Sequence, residues 1–241
     1  MKEYNLEGFE RGLAELGIAL SEEQKTQFLQ YYALLVEWNS FMNLTAITEF
    51  DQVITKHFLD SLSLVKVCDV EQAGRILDVG TGAGFPGIPL KIAFPEVEVV
   101  LLDSLNKRVK FLNEVIGQLG LSKITAVHGR AEDFARQKDH REQFDLVVSR
   151  AVANLSSLSE YCLPYVKVGG RFVSYKSGKL NEELAAAQKA IHVLGGEAKE
   201  PVYFQLTGTE DERSFVCIEK GKATPKKYPR KAGTPAKEPI Q

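Results

Sequence analysis

The sequence predicts an α/β protein whose Rossmann-like, mostly parallel sheet ends in an antiparallel hairpin and follows an N-terminal helical extension. Three observations predict this fold. Short runs rich in β-branched residues alternate with helical stretches from about residue 74, a glycine-rich turn follows the first run, and only a short polar segment joins the last two runs. Strands separated by helices imply a parallel sheet with helices on both faces. A length of 241 residues suits one domain with a modest extension.

The first 70 residues have helical patterns. Ser21-Glu22-Glu23-Gln24 is a capping box, in which the serine hydroxyl and the glutamine side chain each satisfy a backbone N–H at the helix start. The apolar residues that follow at helical spacing are Phe28, Tyr31, Tyr32, Leu35 and Trp38. A loop with Asn43-Leu44-Thr45 comes next, and then a third helix at about 51–67. We therefore predict an N-terminal helical subdomain over residues 1–70.

The middle of the chain contains the predicted sheet. The five predicted parallel strands are Arg75–Val79, 97–102, Ile124–His128, 144–148 and 171–175, the last after a turn at Gly169-Gly170. The clearest helix between them is 107–119. Residues 200–206 and 214–219 are predicted to form the closing hairpin. This layout is typical of class I methyltransferases rather than of dehydrogenases, and we assign 71–221 to such a domain.

The remaining residues, 222–241, form a basic, proline-rich tail. Its prolines are Pro225, Pro229, Pro235 and Pro239, and from Thr224 onward its basic residues Lys226, Lys227, Arg230, Lys231 and Lys237 are opposed only by Glu238. Such a composition is typical of a disordered, solvated tail. The alternative is a strap that touches RNA or the surface of the domain.

Composition restricts the class of protein and of partner. The net charge is −2, so any contact with nucleic acid has to come from local basic patches. No run of about 18 apolar residues is present, and the N-terminus lacks a signal-like apolar stretch, so we expect a cytoplasmic protein with no membrane contact. The three cysteines are odd in number and form no CxxC pair, which predicts reduced thiols and no metal site.

A glycine-rich turn after the first strand predicts a cofactor site. Gly80, Gly82 and Gly84 allow a tight turn with no Cβ between the backbone and a ligand. Asp103, at the next strand end, can accept hydrogen bonds from both hydroxyls of a ribose. The spacing Gly82-x-Gly84-x-x-Gly87 also fits the dinucleotide pattern, which leaves NAD as an alternative.

Two features of this turn favour S-adenosylmethionine (SAM) over NAD. Asp78 precedes the first glycine, where a carboxylate can bind the amino group of the methionine moiety and would repel a pyrophosphate. The glycine series also begins one step earlier, at Gly80. We therefore predict SAM as the cofactor.

The third and fourth strand ends supply further candidates. The backbone at Ala131 and the carboxylate of Glu132 are placed to frame an adenine, although a carboxylate at a helix N-terminus is also stabilised by the helix dipole alone. Arg150, at the end of the fourth strand, can bind a carboxylate or a phosphate. The alternative for Arg150 is a surface ion pair.

The residues near the fourth strand restrict the methylation chemistry. Ser149-Arg150-Ala151-Val152 lacks the Asn/Asp-Pro-Pro-Tyr/Phe loop used for exocyclic amines, and Cys162 lacks the motif that flanks a nucleophile for pyrimidine C5. A ring nitrogen such as guanine N7 needs no general base, so in-line positioning, worth roughly 7–11 kcal/mol, is sufficient. Arg130, Arg150 and Lys176 are candidates to orient the base through O6 and the phosphates, which accept hydrogen bonds.

Taken together, these motifs closely resemble the RsmG (GidB) family of 16S rRNA guanine-N7 methyltransferases. The matching stretches are Trp38-Asn39, Asn43-Leu44-Thr45, Lys56-His57-Phe58-Leu59-Asp60-Ser61, Asp78 to Pro89, Leu102-Asp103-Ser104, Lys107-Arg108, Arg130-Ala131-Glu132 and Ser149-Arg150-Ala151. They cover almost the whole chain. The tail looks like that of a Gram-positive branch.

The resemblance implies methylation of N7 of a guanosine in the 530 loop of 16S rRNA, with the small ribosomal subunit as partner. It implies SAM contacts at Gly80, Phe85, Ala131, Glu132 and Arg150. His57, by itself a polar surface residue on a helix, is then expected to line the RNA or cofactor mouth. We expect a monomer. A SAM enzyme that acts on a protein or a small molecule stays as an alternative.

Overall fold

The computed structural model describes residues 4–150, 153–178 and 180–241. Its centre is an eight-stranded sheet with the order β3-β2-β1-β4-β5-β8-β6, and β7 pairs with β8 as well. The strands are β1 (Arg75–Val79), β2 (Glu98–Asp103), β3 (Ile124–His128), β4 (Phe144–Arg150), β5 (Val166–Lys176), β6 (Gly196–Ala198), β7 (Val202–Gln205) and β8 (Glu212–Lys220). The first five are mutually parallel, and β8 is antiparallel to β5. The predicted fold class is confirmed.

The predicted turn at Gly169-Gly170 is wrong, because both glycines lie inside β5. The pairing of β4 with β5 shifts register between Phe144 and Leu146, which marks an irregularity beside these glycines. Gly169 has a φ of 88°, and a Cβ on Gly170 would lie 2.6 Å from the carbonyl oxygen of Asp145. Glycines in a strand often mark a bulge or a close backbone approach rather than a turn.

The closing hairpin of β7 and β8 is antiparallel, as predicted. β6 is a strand that was not predicted from the sequence, and it pairs with the other half of β8. Pro201 lies between β6 and β7 and has no backbone N–H to donate to a sheet. The outer edge of the sheet is therefore made of two short strands in place of one long strand.

Two N-terminal helices pack against the sheet domain. They are α1 (Glu7–Leu16) and α2 (Glu22–Met42). The predicted capping box is confirmed, since Gln24 N donates to Ser21 Oγ over 3.2 Å and Ser21 N donates to Gln24 Oε1 over 2.8 Å. The Gln24 side chain also donates to the carbonyl oxygen of Ile92 over 2.8 Å. One residue thus starts α2 and joins it to the helix that follows the glycine turn.

The third predicted helix is one continuous helical segment along which the helix type changes. It consists of α3 (Phe50–Val53), a π-helical segment (Ile54–Leu59), α4 (Asp60–Leu62) and a 3-10 segment (Ser63–Lys66). π-helical turns are rare and frequently occur at functional sites. The π segment contains Lys56 and His57, and Asp60 follows it directly.

The remaining helices alternate with the strands or follow them. They are α5 (Gly87–Ala93), α6 (Asn106–Gln118), α7 (Ala131–Phe134), α8 (Leu155–Cys162), α9 (Asn181–Val193) and α10 (Thr234–Lys237). Two hydrophobic cores result. One joins strand residues such as Ile76 to the N-terminal helices and α6, and the other joins Leu77 to α8 and α9. Neighbouring residues of β1 enter different cores because side chains alternate along a strand. Within the described ranges, no helix is both long and apolar enough to span a bilayer.

The tail is a strap on the domain surface, so the expectation of a disordered tail is wrong. We call residues 224–238 the strap. Pro235 is buried at its end, and Arg230 forms an ion pair with Glu160 of α8 over 2.7 Å. The strap is held by hydrogen bonds to its backbone carbonyls, by Arg230 and by a few buried side chains such as Pro229 and Pro235, so it is ordered although it has few large apolar residues.

Candidate functional site

Four parallel strands end at one edge of the sheet, where ligands bind in this class of fold. Residues at the ends of β1, β2, β3 and β4 line three neighbouring cavities. The strap cavity, of about 400 Å³, is lined by Val79, Gly80, Leu102, Ser104, Leu105, Gly129, Arg130, Ala131, Glu132, Tyr161 and Gly233. The loop cavity, of about 390 Å³, is lined by Leu44, Thr45, His57, Gly80, Thr81, Gly82, Ala83, Phe85, Asp103, Ser104, Arg108 and Arg150. The helix cavity, of about 500 Å³, is lined by Lys56, His57, Asp60, Arg150, Tyr175, Lys176, Ser177, Glu183 and Arg213.

The glycine turn forms the wall between the strap and loop cavities. Gly80, Gly82 and Gly84 have φ angles of 71°, 64° and 99°, a region that side chains disfavour. Gly80 lines both cavities and Gly82 lines the loop cavity. Gly84 packs inward instead, since a Cβ there would lie 2.5 Å from Ile88 Cδ1. The turn thus presents bare backbone to a ligand at its first two glycines.

Asp78 lies beneath this turn and is fully buried. Its Oδ2 accepts hydrogen bonds from Thr81 Oγ1 over 2.6 Å and from Gly87 N over 2.9 Å, which fixes both ends of the turn. Its Oδ1 has no partner among the described residues. Burial raises the pKa of the Asp78 carboxyl to about 6, against smaller lowering effects from these two donors and from Arg150. The contact with an amino group that the sequence suggests stays a prediction, and Asp78 lines none of the three cavities.

The raised pKa of Asp78 predicts a pH dependence of stability. Since the folded pKa of about 6 exceeds the ordinary value of 3.8, the native state binds more protons than the unfolded state between these values. The free energy of unfolding should therefore fall as pH rises from 4 through 6. Asp78→Asn should remove this decrease, as measured by urea unfolding across that range. Asp133→Asn, at an exposed carboxylate, is the control. A difference between wild type and Asp78→Asn that is independent of pH would contradict this assignment.

Asp103 connects the end of β2 to the glycine turn. Its Oδ2 accepts from Gly82 N over 2.9 Å and its Oδ1 accepts from Leu105 N over 2.8 Å, with Arg108 Nη1 at 3.4 Å from Oδ2. Each carboxylate oxygen has more than one acceptor position. Asp103 can thus hold the turn and still accept ligand hydroxyls from its position in the loop cavity.

Ala131 and Glu132 lie together in the strap cavity, at the start of α7. The carboxylate of Glu132 is nearly buried and accepts a hydrogen bond from Gly233 N over 2.8 Å. A strap residue was not expected in this place, because no local signal links position 233 to position 132. Arg130 lies in the same cavity with an exposed side chain.

Arg150 joins the loop cavity to the helix cavity. Its Nη1 donates to Asp60 Oδ2 over 2.9 Å, and its guanidinium lies 5.0 Å from the centre of the Phe85 ring. Arg213 donates to the other oxygen of Asp60 over 3.0 Å. The alternative of a surface ion pair is therefore wrong for Arg150, because Asp60 is buried and Arg150 faces both cavities. This role of Asp60 was not predicted from the sequence.

His57 is part-buried in the walls of the loop and helix cavities rather than on the open surface. Its ring stacks on Phe85 with 4.4 Å between the ring centres. Its Nε2 lies 2.9 Å from Thr45 Oγ1. Burial, assisted by the charge of Arg150, lowers the pKa of His57 to about 3. A neutral imidazole can still donate one hydrogen bond and accept another, but it lacks the acidic proton of an imidazolium near neutral pH.

Lys176 and Cys162 are the last two residues considered in the sequence analysis, and one lies in a cavity while the other is buried in the core. Lys176 lies in the helix cavity, where its Nζ donates to Glu183 Oε1 over 2.6 Å and to the carbonyl oxygen of Ala153 over 3.0 Å. Its charge is thus partly balanced by a neighbouring carboxylate. Cys162 is fully buried, and burial raises the pKa of its thiol well above the ordinary value, so it is no thiolate nucleophile. Ala151 and Val152, which belong to the motif that contains Arg150, lie outside the described residues.

Comparison with known proteins finds relatives that match most of this chain. A family model described as rRNA small subunit methyltransferase G matches residues 24–214. The chain is 60% identical, over 96% of both chains, to a protein of Lachnoclostridium phytofermentans named ribosomal RNA small subunit methyltransferase G. It is 51% identical to a protein of the same name from Exiguobacterium sibiricum, over 98% of this chain and 99% of that one.

Solved structures with low sequence identity share the fold. TrmN from Thermus thermophilus superposes with a TM-score of 0.52 at 18% identity, over 69% of this chain and 53% of that chain. Precorrin-6y C5,15-methyltransferase from Geobacter metallireducens GS-15 has a TM-score of 0.50 at 14% identity, over 68% of this chain and 87% of that chain. At such identities the similarity shows a class I methyltransferase fold alone.

Proposed function

The chain belongs to the rRNA small subunit methyltransferase G family, and we propose that it transfers a methyl group to N7 of a guanosine in the 530 loop of 16S rRNA. It is a SAM-dependent rRNA methyltransferase. The observation that supports the finer proposal best is the row of three neighbouring cavities. Gly80 and Ser104 are shared by the strap and loop cavities, and His57 and Arg150 are shared by the loop and helix cavities.

The residues of the first two cavities fit SAM. Behind the turn of bare backbone, Oδ1 of the buried Asp78 has no partner among the described residues, and we propose that it binds the amino group of SAM although Asp78 itself lines neither cavity. We propose that the carboxylates of Asp103 and Glu132 accept hydrogen bonds from ribose and adenine donors and that Arg150 binds the carboxylate of SAM. The cavity-lining residues that we propose to hold SAM are Gly80, Gly82, Phe85, Asp103, Ala131, Glu132 and Arg150. Gly84 packs inward and is proposed to shape the turn rather than to contact SAM. When bound, SAM supplies an electrophilic methyl group on a positively charged sulfur.

The helix cavity is the proposed place of the target guanine. Guanine N7 has a lone pair and no proton, so its methylation needs no general base. This agrees with a neutral His57 at the junction of the cavities. Arg150 and Lys176 supply N–H donors on the cavity wall, which can orient the base through O6 and leave the lone pair of N7 free to attack the methyl group. Arg130, exposed at the rim of the strap cavity, is proposed to contact a phosphate.

Further expectations follow from an rRNA substrate. We propose the small ribosomal subunit as the partner, the cytoplasm as the compartment and a monomer as the acting species. RNA affinity should weaken steeply with salt, because lysine and arginine side chains displace counterions from phosphates. Analytical ultracentrifugation at assay concentrations tests the monomer.

The proposed reaction predicts a single product in a direct assay. Small ribosomal subunits from cells that lack this protein should accept labelled methyl groups from SAM, and mass spectrometry of the nucleosides should find 7-methylguanosine. The family match favours SAM over the alternative of NAD, and a titration that compares SAM with NADH checks this choice. Incorporation into protein, or into another atom of the RNA, would contradict the N7 proposal.

A further inference from the structure

The strap is fixed to the domain through its backbone. Arg141 Nη1 donates to the carbonyl oxygen of Tyr228 over 2.8 Å, and its Nη2 donates to that of Thr224 over 2.8 Å. Arg136 Nη2 donates to the carbonyl oxygen of Pro229 over 2.6 Å. Three successive parts of the strap are thus held by two arginines of the segment between α7 and β4. These hydrogen bonds fix the strap at residues that precede Gly233, the strap residue in the strap cavity.

A buried ion pair anchors the middle of the strap. Glu160 of α8 is completely buried, and both of its oxygens are used by Arg230. Arg230 Nη2 lies 2.7 Å from Oε2, and the Nε and backbone N of Arg230 lie 3.0 Å and 2.6 Å from Oε1. A buried carboxylate without such a partner is costly. The next residue of α8, Tyr161, lines the strap cavity.

Three residues beyond this anchor, the strap enters the cavity wall. Gly233 lines the strap cavity and donates its backbone N–H to Glu132 Oε1 over 2.8 Å. Its φ of 85° suits glycine. Just beyond it, Ser157 Oγ of α8 donates to the carbonyl oxygen of Pro235 over 2.7 Å. Gly233 is thus held between two contacts with α8.

We propose that the strap is a structural part of the adenosine subsite, in which Arg230 fixes Gly233 and Gly233 positions the Glu132 carboxylate. This inference rests on the proposed assignment of the strap cavity to the adenosine of SAM. Arg230 and Gly233 are positioning residues, because they act through Glu132. Linkage then requires that docking of the strap and binding of SAM strengthen each other by the same factor.

Arg230→Ala should weaken SAM binding about tenfold, the value of one lost charge-assisted hydrogen bond. Isothermal titration of the full chain measures the dissociation constant. Lys231→Ala is the matched control, since it removes the same charge from the adjacent, exposed position, and should leave SAM binding unchanged. Arg230→Lys should recover part of the loss. Unchanged SAM binding in Arg230→Ala, with RNA binding weakened equally in both alanine variants, would overturn the proposal and make the strap an RNA contact.

A double-variant cycle tests the route through Glu132. If the strap acts on SAM by positioning this carboxylate, Arg230→Ala should have little further effect on SAM affinity in a Glu132→Ala background. Equal losses in the two backgrounds would show that Arg230 acts by another path and would overturn the proposed route.

Hydrogen exchange of the wild-type chain gives a readout that needs no variant. SAM at saturation should slow exchange of backbone amides in peptides that cover 228–238. No change in these peptides, while amides of the glycine turn become protected, would overturn the coupling and leave the proposed function intact. No protection anywhere, and no SAM binding by the wild type, would instead contradict the proposed function.

Discussion

Replacing Arg150 by alanine is expected to lower kcat/KM for rRNA methylation by about a hundredfold, because small displacements of reacting groups have effects of this size. Arg150 contacts Asp60, lies over Phe85, and has Nη2 3.3 Å from Nδ1 of His57. Its removal therefore takes one contact each from the Asp60 carboxylate, the Phe85 ring and the His57 imidazole, at the junction of the proposed cofactor and base cavities. The fold should survive, since Arg213 still pairs with Asp60.

Arg213→Ala is the matched control for this prediction. Both variants leave Asp60 with one guanidinium partner, so their losses of stability should be similar. Only Arg150 lies in the loop cavity, so SAM affinity should fall in Arg150→Ala and stay near the wild-type value in Arg213→Ala. Titration with SAM separates the two variants, because Arg213 lines only the helix cavity. Full activity in Arg150→Ala would remove this residue from the site.

Replacing Phe85 by alanine should lower the free energy of unfolding by about 3–5 kcal/mol, the range for loss of a buried aromatic ring. Phe85 is only 5% exposed. Its ring centre lies 4.4 Å from that of His57 and 5.5 Å from that of Tyr31. The substitution therefore opens a cavity between the N-terminal helices and the glycine turn. SAM affinity should fall as well, because Phe85 lines the loop cavity.

Urea unfolding measures this loss of stability. Phe41→Ala is the control, since this ring is 65% exposed and surface changes are usually within about 0.5 kcal/mol. A loss below about 1 kcal/mol for Phe85→Ala would show that the neighbouring rings collapse into the space. In that case the ring of Phe85 would not be a structural support of the site.

Local sequence patterns were enough to predict the individual parts of the site. The limits of β1 and β3 were predicted as they occur, and the glycine turn and the capping box at Ser21 lie where their patterns indicate. These features depend on neighbouring residues, since period, turn chemistry and helix capping act within a few positions. The order of parallel strands then brings their ends to one edge, so most of the predicted site residues meet there.

Tertiary structure decided which of these residues work together. Asp60 accepts from Arg150, 90 positions away, and from Arg213, 153 positions away, while Gly233 donates to Glu132 across 101 positions. Burial of Asp78 beneath the glycine turn, with the resulting rise of its pKa, also required the packed core. Partners so distant in sequence leave no local pattern, and their pairing depends on the desolvation of charged groups when the chain packs. The tail is an example: its composition alone is typical of a disordered segment, but its distant contacts order it and bring Gly233 into the wall of the strap cavity.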